Sequence, residues 1–232
     1  MPVPDALQPA ETGVTDGLSW ALFRPSEQAA GGVVILHGAG SRKENHADFA
    51  EVCAEHGLAA LTFDARGHGA SDGAMDAGAF ADVATMAGVL RERAGVQAIG
   101  LRGSSMGGYF AITAAAEAGA AAVVAICPAS ARGLAASIRH GLLGFRAELD
   151  SLPAALEARS VRPALQALDP DRVLLQHAEG DEVVPVVVSR TLAERAPGVH
   201  LDVVPGGDHR SVQHDPAAQE RAARFLAARV GA

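Results

Sequence analysis

Short apolar runs alternate along this chain with stretches whose apolar residues recur at helical spacing. Val33-Val34-Ile35-Leu36 is apolar throughout, as a strand buried on both faces requires. Residues 58–63, 98–101, 121–126, 173–176 and 201–204 read as further strands. Residues 18–24 alternate and stop before Pro25, as an early strand would. Between these runs, residues 47–56 place Phe49, Val52 and Cys53 on one helical face and close on Gly57. Residues 80–94 do the same with Val83, Met86, Val89 and Leu90. Residues 108–118, 187–196 and 219–230 complete the helices. Strand–helix alternation predicts an α/β fold, a mostly parallel sheet covered by helices on both faces. No internal repeat or low-complexity linker divides the chain, so a single domain over residues 1–232 is expected. The rhythm breaks over residues 128–169, a Leu-rich stretch between two strands. It is expected to form a small cap-like insertion of short helices lying over the functional site.

Composition narrows the class. A chain of 232 residues can bury a sizeable core. The net charge of −8, with no basic tract, argues against nucleic acid and anionic membranes as partners. No apolar run approaches the ~18 residues of a membrane span. The start, Met1-Pro2-Val3-Pro4-Asp5, lacks the basic-then-apolar pattern of a secretory signal, so a cytoplasmic protein is expected. Cys53 and Cys127 lie on different expected elements and read as free thiols.

The chemistry concentrates at Leu101-Arg102-Gly103-Ser104-Ser105-Met106-Gly107-Gly108, between an expected strand and an expected helix. Gly103-x-Ser105-x-Gly107 in that setting is a nucleophile elbow: the turn is so tight that side chains two residues to either side would collide. The spacing selects between adjacent serines, because Ser104 would have Arg102 and Met106 at the crowded positions. A nucleophilic serine needs a base, and the base an orienting acid, in the chain order Ser, Asp/Glu, His for sheet enzymes of this kind. Asp181, in His177-Ala178-Glu179-Gly180-Asp181-Glu182, follows one expected strand, and His209, in Gly206-Gly207-Asp208-His209, follows the last. Glu182 is expected to point elsewhere, and Asp208 lies too close in sequence to orient His209. His46, His56, His200 and His214 read as solvated. His37-Gly38-Ala39-Gly40 follows a buried strand as an oxyanion loop does, so the backbone N–H groups of Ala39 and Met106 are the expected oxyanion donors.

Those segments, with Asp64-Ala65-Arg66-Gly67-His68-Gly69 and Asp181-x-x-Val184-Pro185, resemble in order the α/β-hydrolase superfamily. The likeness is greatest to its compact serine esterase, thioesterase and monoacylglycerol-lipase-like members. The resemblance implies an eight-stranded sheet and cofactor-free hydrolysis through an acyl-serine. It also implies that Arg66 and His68 are structural hydrogen bonders beside the pocket. The insertion is shorter than a full lipase lid, which points away from long triglycerides.

A small-molecule ester or thioester is therefore the expected substrate, handled by a monomer or small homo-oligomer. Acyl transfer, perhydrolysis and peptide hydrolysis use the same machinery, and a binding protein that keeps the fold without turnover is the non-enzymatic alternative. In the insertion, Leu142, Leu143 and Phe145 are candidates for an apolar pocket. Arg132, Arg139 and Arg146 recur every seven residues and could share a helical face towards an anionic leaving group. Gly133, Gly141 and Gly144 interrupt such a helix, and a solvated face is favoured. Tyr109 and Cys127 are expected to pack. Neither a metal nor a cofactor is expected: His177-x-x-x-Asp181 belongs to the acid loop, and no phosphate-cradling glycine motif is present.

Overall fold

A computed structural model describes residues 8–231, so the reading of residues 1–5 lies outside the described residues. The chain opens with β1 (Glu11–Thr15), β2 (Leu18–Phe23) and β3 (Gly31–Leu36), then α1 (Ala47–Glu55) and β4 (Leu58–Phe63). Next come α2 (Ala79–Ala94), β5 (Ile99–Ser104), α3 (Met106–Thr113), α4 (Ala115–Ala118) and β6 (Ala122–Ile126). The expected insertion holds α5 (Ala131–Arg139), α6 (Leu152–Ala158) and α7 (Val161–Gln166). The chain then returns through β7 (Val173–Ala178), α8 (Val187–Arg195), β8 (His200–Val204), α9 (Ser211–His214) and α10 (Pro216–Val230).

The strands form one eight-stranded sheet in the order β1-β2-β4-β3-β5-β6-β7-β8. β2 pairs antiparallel with both β1 and β4, and from β4 across β3, β5, β6 and β7 to β8 every pairing is parallel. The central strands separate two cores by simple alternation. Val34 and Leu36 of β3 meet α2 and α3, whereas Val33 and Ile35 meet α1 and α10. That is why β3, β4, β5 and β6 contain so few polar residues.

Three of the differences from the sequence reading have a clear physical cause. β1 was missed because its Glu-Thr-Gly-Val-Thr run is polar at an exposed edge; it forms because Trp20 of β2 packs across Gly13 and donates to Thr15 Oγ1 at 3.0 Å. The helix expected over 108–118 breaks at Ala114 (φ −108), dividing α3 from α4. Arg132 and Arg139 lie on α5, but the helix ends at His140 and Gly141 turns left-handed (φ +64), so Arg146 is not on it. Arg139 instead makes a two-pronged pair with Glu157 of α6.

The insertion is tied to the rest of the fold at several places, two of them close to the elbow helix and the loop before α2. Met75 and Ala147 form an isolated parallel bridge, with Met75 N–H donating to Arg146 O and Glu148 N–H to Met75 O, both at 2.8 Å. At its far end, the buried Tyr109 hydroxyl of α3 lies 2.9 Å from the carbonyl oxygens of Leu156 and Arg159. Tyr109 therefore packs beneath the insertion, as the sequence suggested.

Candidate active site

β5 delivers Ser105 into the sharp turn that opens α3. Its backbone stands at φ +53, a conformation costing a non-glycine residue about 1–3 kcal/mol. The neighbours hold it there: Ser105 N–H donates to Ile126 O at 2.8 Å, and Ser105 O accepts from Tyr109 N–H at 3.0 Å and Ala129 N–H at 3.1 Å. A Cβ on Gly103 would strike the carbonyl of Gly107, and one on Gly107 would strike the carbonyl of Leu36. The crowding argued from the spacing is thus physical, and it involves the end of β3 as well as the elbow. Ser105 is half-buried, while Ser104 is buried and turned the other way, its Oγ donating to Gln213 Oε1 at 2.7 Å.

Asp181 and His209 come from the ends of β7 and β8. His209 Nδ1 donates to Asp181 Oδ2 at 2.7 Å, and Asp181 Oδ1 accepts from Val183 N–H (2.9 Å) and Val184 N–H (2.8 Å). Burial alone would raise the Asp181 pKa, but the bonds from His209 and the Val184 amide outweigh it and hold the carboxyl below the usual range. The carboxylate is backed by two groups the sequence reading did not use. His177 Nε2 donates to Val184 O at 2.7 Å and lies 3.4 Å from Asp181 Oδ2, while Ser189 Oγ lies 2.7 Å from its Nδ1; burial keeps this ring neutral. The Cys127 thiol hydrogen-bonds to Asp181 and is pushed up to about 12 by burial, so it is no nucleophile. Cys127, His177 and Asp181 place ligand-type atoms within 4.8 Å of one another. The bonds of His177 to Val184 and of Asp181 to His209 already occupy those atoms, which makes the cluster a support for the carboxylate. Glu182 is exposed, and Asp208 spends its carboxylate on the amides of Arg210 and Ser211. Ser105 Oγ and His209 Nε2 share the C-terminal edge of the sheet but make no hydrogen bond to each other among the described residues. Such bonds often form only when substrate is bound.

The loop after β3 lies against the elbow, with the Gly38 Cα facing Ser105 Cβ and Ser104 O. Two histidines brace it. His37 Nε2 accepts from Ala65 N–H at 3.0 Å, so its Nδ1 carries the proton and donates to Gly38 O at 2.8 Å. His68 Nε2 accepts from Gly40 N–H at 3.2 Å. Both rings are neutral: burial lowers His37, and burial with the neighbouring His37 lowers His68 to about 4. The Gly38 carbonyl and the Ala39 N–H belong to one peptide plane, so fixing the first orients the second. The Met106 N–H is the first of α3 and has no partner within the helix.

Of the candidate pocket residues, Leu142 is 73% exposed, whereas Leu143 and Phe145 are half-buried. Phe145 stacks on His68 with ring centroids 4.2 Å apart, against the brace of the loop. None of the three lines the small apolar cavity beside the elbow, which is formed by Leu36, Phe63, Met75, Met106 and Phe110 among others. Arg66 is a structural hydrogen bonder, held by Asp76 and Asp82. One histidine differs from expectation. His46 is 1% exposed, not solvated, because the turn into α1 folds it inward beside Arg102; burial and that guanidinium push it down to about 3.

Comparison with known proteins agrees with this architecture. Residues 27–149, just over half of the chain, match the family model described as serine aminopeptidase, S33. No curated protein matches the sequence. Among solved structures, Est1E from Butyrivibrio proteoclasticus with ferulic acid bound superposes with a TM-score of 0.75 at 22% identity, covering 96% of this chain and 100% of that one. The α/β hydrolase GrgF from Penicillium sp. sh18 gives 0.77 at 20% identity, covering 96% and 98%. A monoacylglycerol lipase from Paleococcus ferrophilus gives 0.66 at 22% identity, covering 89% and 95%. At these identities the structures share the fold. Among the described residues, no helix is long and apolar enough to cross a membrane.

Proposed function

This chain belongs to the S33 serine aminopeptidase family of α/β-hydrolases, and from that premise we propose that it is a serine hydrolase cleaving carboxylic esters or thioesters of small to medium acyl groups. The observation that carries the reading is the 2.7 Å bond from His209 Nδ1 to the buried Asp181 carboxylate, at the sheet edge where Ser105 stands in its elbow. In this mechanism Asp181 fixes the His209 tautomer, leaving Nε2 free to take the Ser105 proton as Oγ attacks the acyl carbonyl. The Ala39 and Met106 amides hold the resulting oxyanion. His209 then protonates the leaving group, and water, activated by the same ring, releases the acid. No step calls on a cofactor. The insertion acts as a small cap on a single domain; of its three candidates Leu142 points outward, and the acyl part of the substrate meets the apolar cavity of Leu36, Phe63, Met75, Met106 and Phe110 beside the elbow. The family match favours a second reading, removal of an N-terminal residue from peptides on the same three side chains.

The test is a set of initial rates on aryl esters of increasing acyl length, matched acyl thioesters, a feruloyl ester and aminoacyl anilides, with Ser105→Ala alongside. The expected result is ester or thioester turnover that falls at least about 10³-fold in the variant. Turnover confined to the anilides moves the assignment to the peptidase reading. Rates equal to those of Ser105→Ala throughout remove the enzymatic reading in favour of a binding protein.

A further inference from the structure

The second serine of the elbow has its own partner. Ser104 Oγ donates to Gln213 Oε1 at 2.7 Å, and Arg102, two residues earlier on the same face of β5, donates from Nη2 to the Gln213 carbonyl at 2.8 Å. The same carbonyl accepts from Gln219 Nε2 of α10 at 2.9 Å, and Gln213 Nε2 lies 3.0 Å from His214 Nε2. Gln213 thus anchors the single-turn helix α9, which begins two residues after His209. Between β8 and α9 the chain passes through Gly206 and Gly207, both left-handed (φ +66 and +71), held by Gly180 N–H donating to Gly206 O at 3.2 Å and by the Asp208 carboxylate on the Arg210 and Ser211 amides. The position of His209 is set by its bond to Asp181, by the buried Val212 and His214 Nδ1 (2.7 Å from Asp48 Oδ2) on α9, and, towards β5, by the anchor at Gln213. That anchor is fastened to the residue whose peptide bond leads into Ser105. The strand bearing the nucleophile and the loop bearing the base are joined by a hydrogen bond that touches neither functional group.

We propose that Ser104 and Gln213 are positioning residues whose hydrogen bond sets the approach of His209 to Ser105. The inference rests on reading Ser105 as nucleophile and His209 as base. It follows from geometry: the Asp181 bond fixes the ring's tautomer and one point of it, while the advance of Nε2 towards Oγ depends on where the loop sits relative to β5. A shift near 1 Å costs on the order of 100-fold in rate. The Ser104 hydroxyl is well suited to such a link. It is buried at 5% exposure, its one donated proton has one acceptor, and its backbone cannot move without moving the elbow.

Ser104→Ala removes the donor. Gln213→Met removes the acceptor but leaves the Gln213 carbonyl bonded to Arg102 and Gln219, so α9 keeps its other fastenings. The wild-type protein is first treated with a fluorophosphonate. Labelling at Ser105 that is lost in Ser105→Ala upholds the nucleophile assignment separately from this inference, and absence of labelling overturns that assignment. Given labelling, each variant is expected to lower kcat and the labelling rate by about 10–100-fold, with KM within about twofold. The double variant should be no slower than the slower single, because one bond is broken only once. The downfield proton resonance of the His209–Asp181 bond should persist in both, since that pair is untouched. A folded Ser104→Ala or Gln213→Met with kcat within twofold of wild type overturns the proposal. So does a rise in KM at unchanged kcat, or multiplicative losses in the double variant. If Ser104→Ala does not fold, the Gln213→Met rates decide alone.

Discussion

Replacing one oxygen tests the assignment of Asp181 most sharply. In Asp181→Asn the remaining oxygen can still accept from the Val183 and Val184 amides, but the new NH2 faces His209 Nδ1. The ring must then accept at Nδ1 and carry its proton on Nε2, where it can no longer take one from Ser105. The expected outcome is a fall in kcat of about 10⁴-fold with a melting temperature within a few degrees of wild type; kcat within tenfold would remove Asp181 from the role. At this scale the sequence was most legible where local geometry dictates residue type. The choice of Ser105 over Ser104 came from glycine spacing alone, and the structure shows the Gly107 and Leu36 carbonyls that make glycine necessary at 103 and 107. It was least legible for His46 and His177, whose burial and partners are supplied by residues distant in the chain. Even so, His177 sits four residues before Asp181 at the end of a strand, a position that signals contact with the acid loop.

Among elements, glycines distinguish necessity from tolerance. Gly88 lies mid-way along α2, exposed, with open space where a Cβ would stand. Gly88→Ala should stabilise the protein by about 0.5–1 kcal/mol in a urea titration, whereas Gly103→Ala should leave no folded protein to titrate. An unstable Gly88→Ala would show that α2 relies on that gap. Long buried strands and periodic helices were readable because burial on both faces leaves a run such as Val33–Leu36 with no polar alternative. The edge strand β1 was not, because its Glu11 and Thr12 belong equally to a loop, and only the Trp20 ring across Gly13 decides. The apolar residues of the insertion could not be sorted in advance: Leu152 and Leu156 are buried while Leu142 and Leu149 face outward, and nothing in their spacing separates them.

For the whole molecule, four buried neutral histidines set the response to acid. His46 is held at about 3 and His68 at about 4, with His37 and His177 also lowered, in each case chiefly by burial. Above the ordinary value of 6.5 these rings are neutral in both states and cost nothing. As pH falls below it, the unfolded chain takes up protons that the folded chain refuses, so stability declines. The urea midpoint should be flat above about pH 7 and drop steadily from about pH 6.5 to 4. This window lies above that in which Asp48, Asp64 and Asp181, whose pKa values sit below 3.8, lose their bonds. A midpoint unchanged down to pH 5 would contradict it. In His46→Leu the slope should be shallower, because no ring remains beside the Arg102 guanidinium to resist protonation.

Gly107 sits so close to the end of β3 that elbow and strand share one volume. The machinery is therefore poor material for variation, since any side chain gained there is lost to a collision. Diversity has to be written elsewhere. The strip from 140 to 149, tied to Met75 by the bridge at Ala147 and with much of its surface outward, is a stretch where side chains can be exchanged without disturbing a neighbour's backbone. A lineage built on this plan would keep its chemistry and change its diet there.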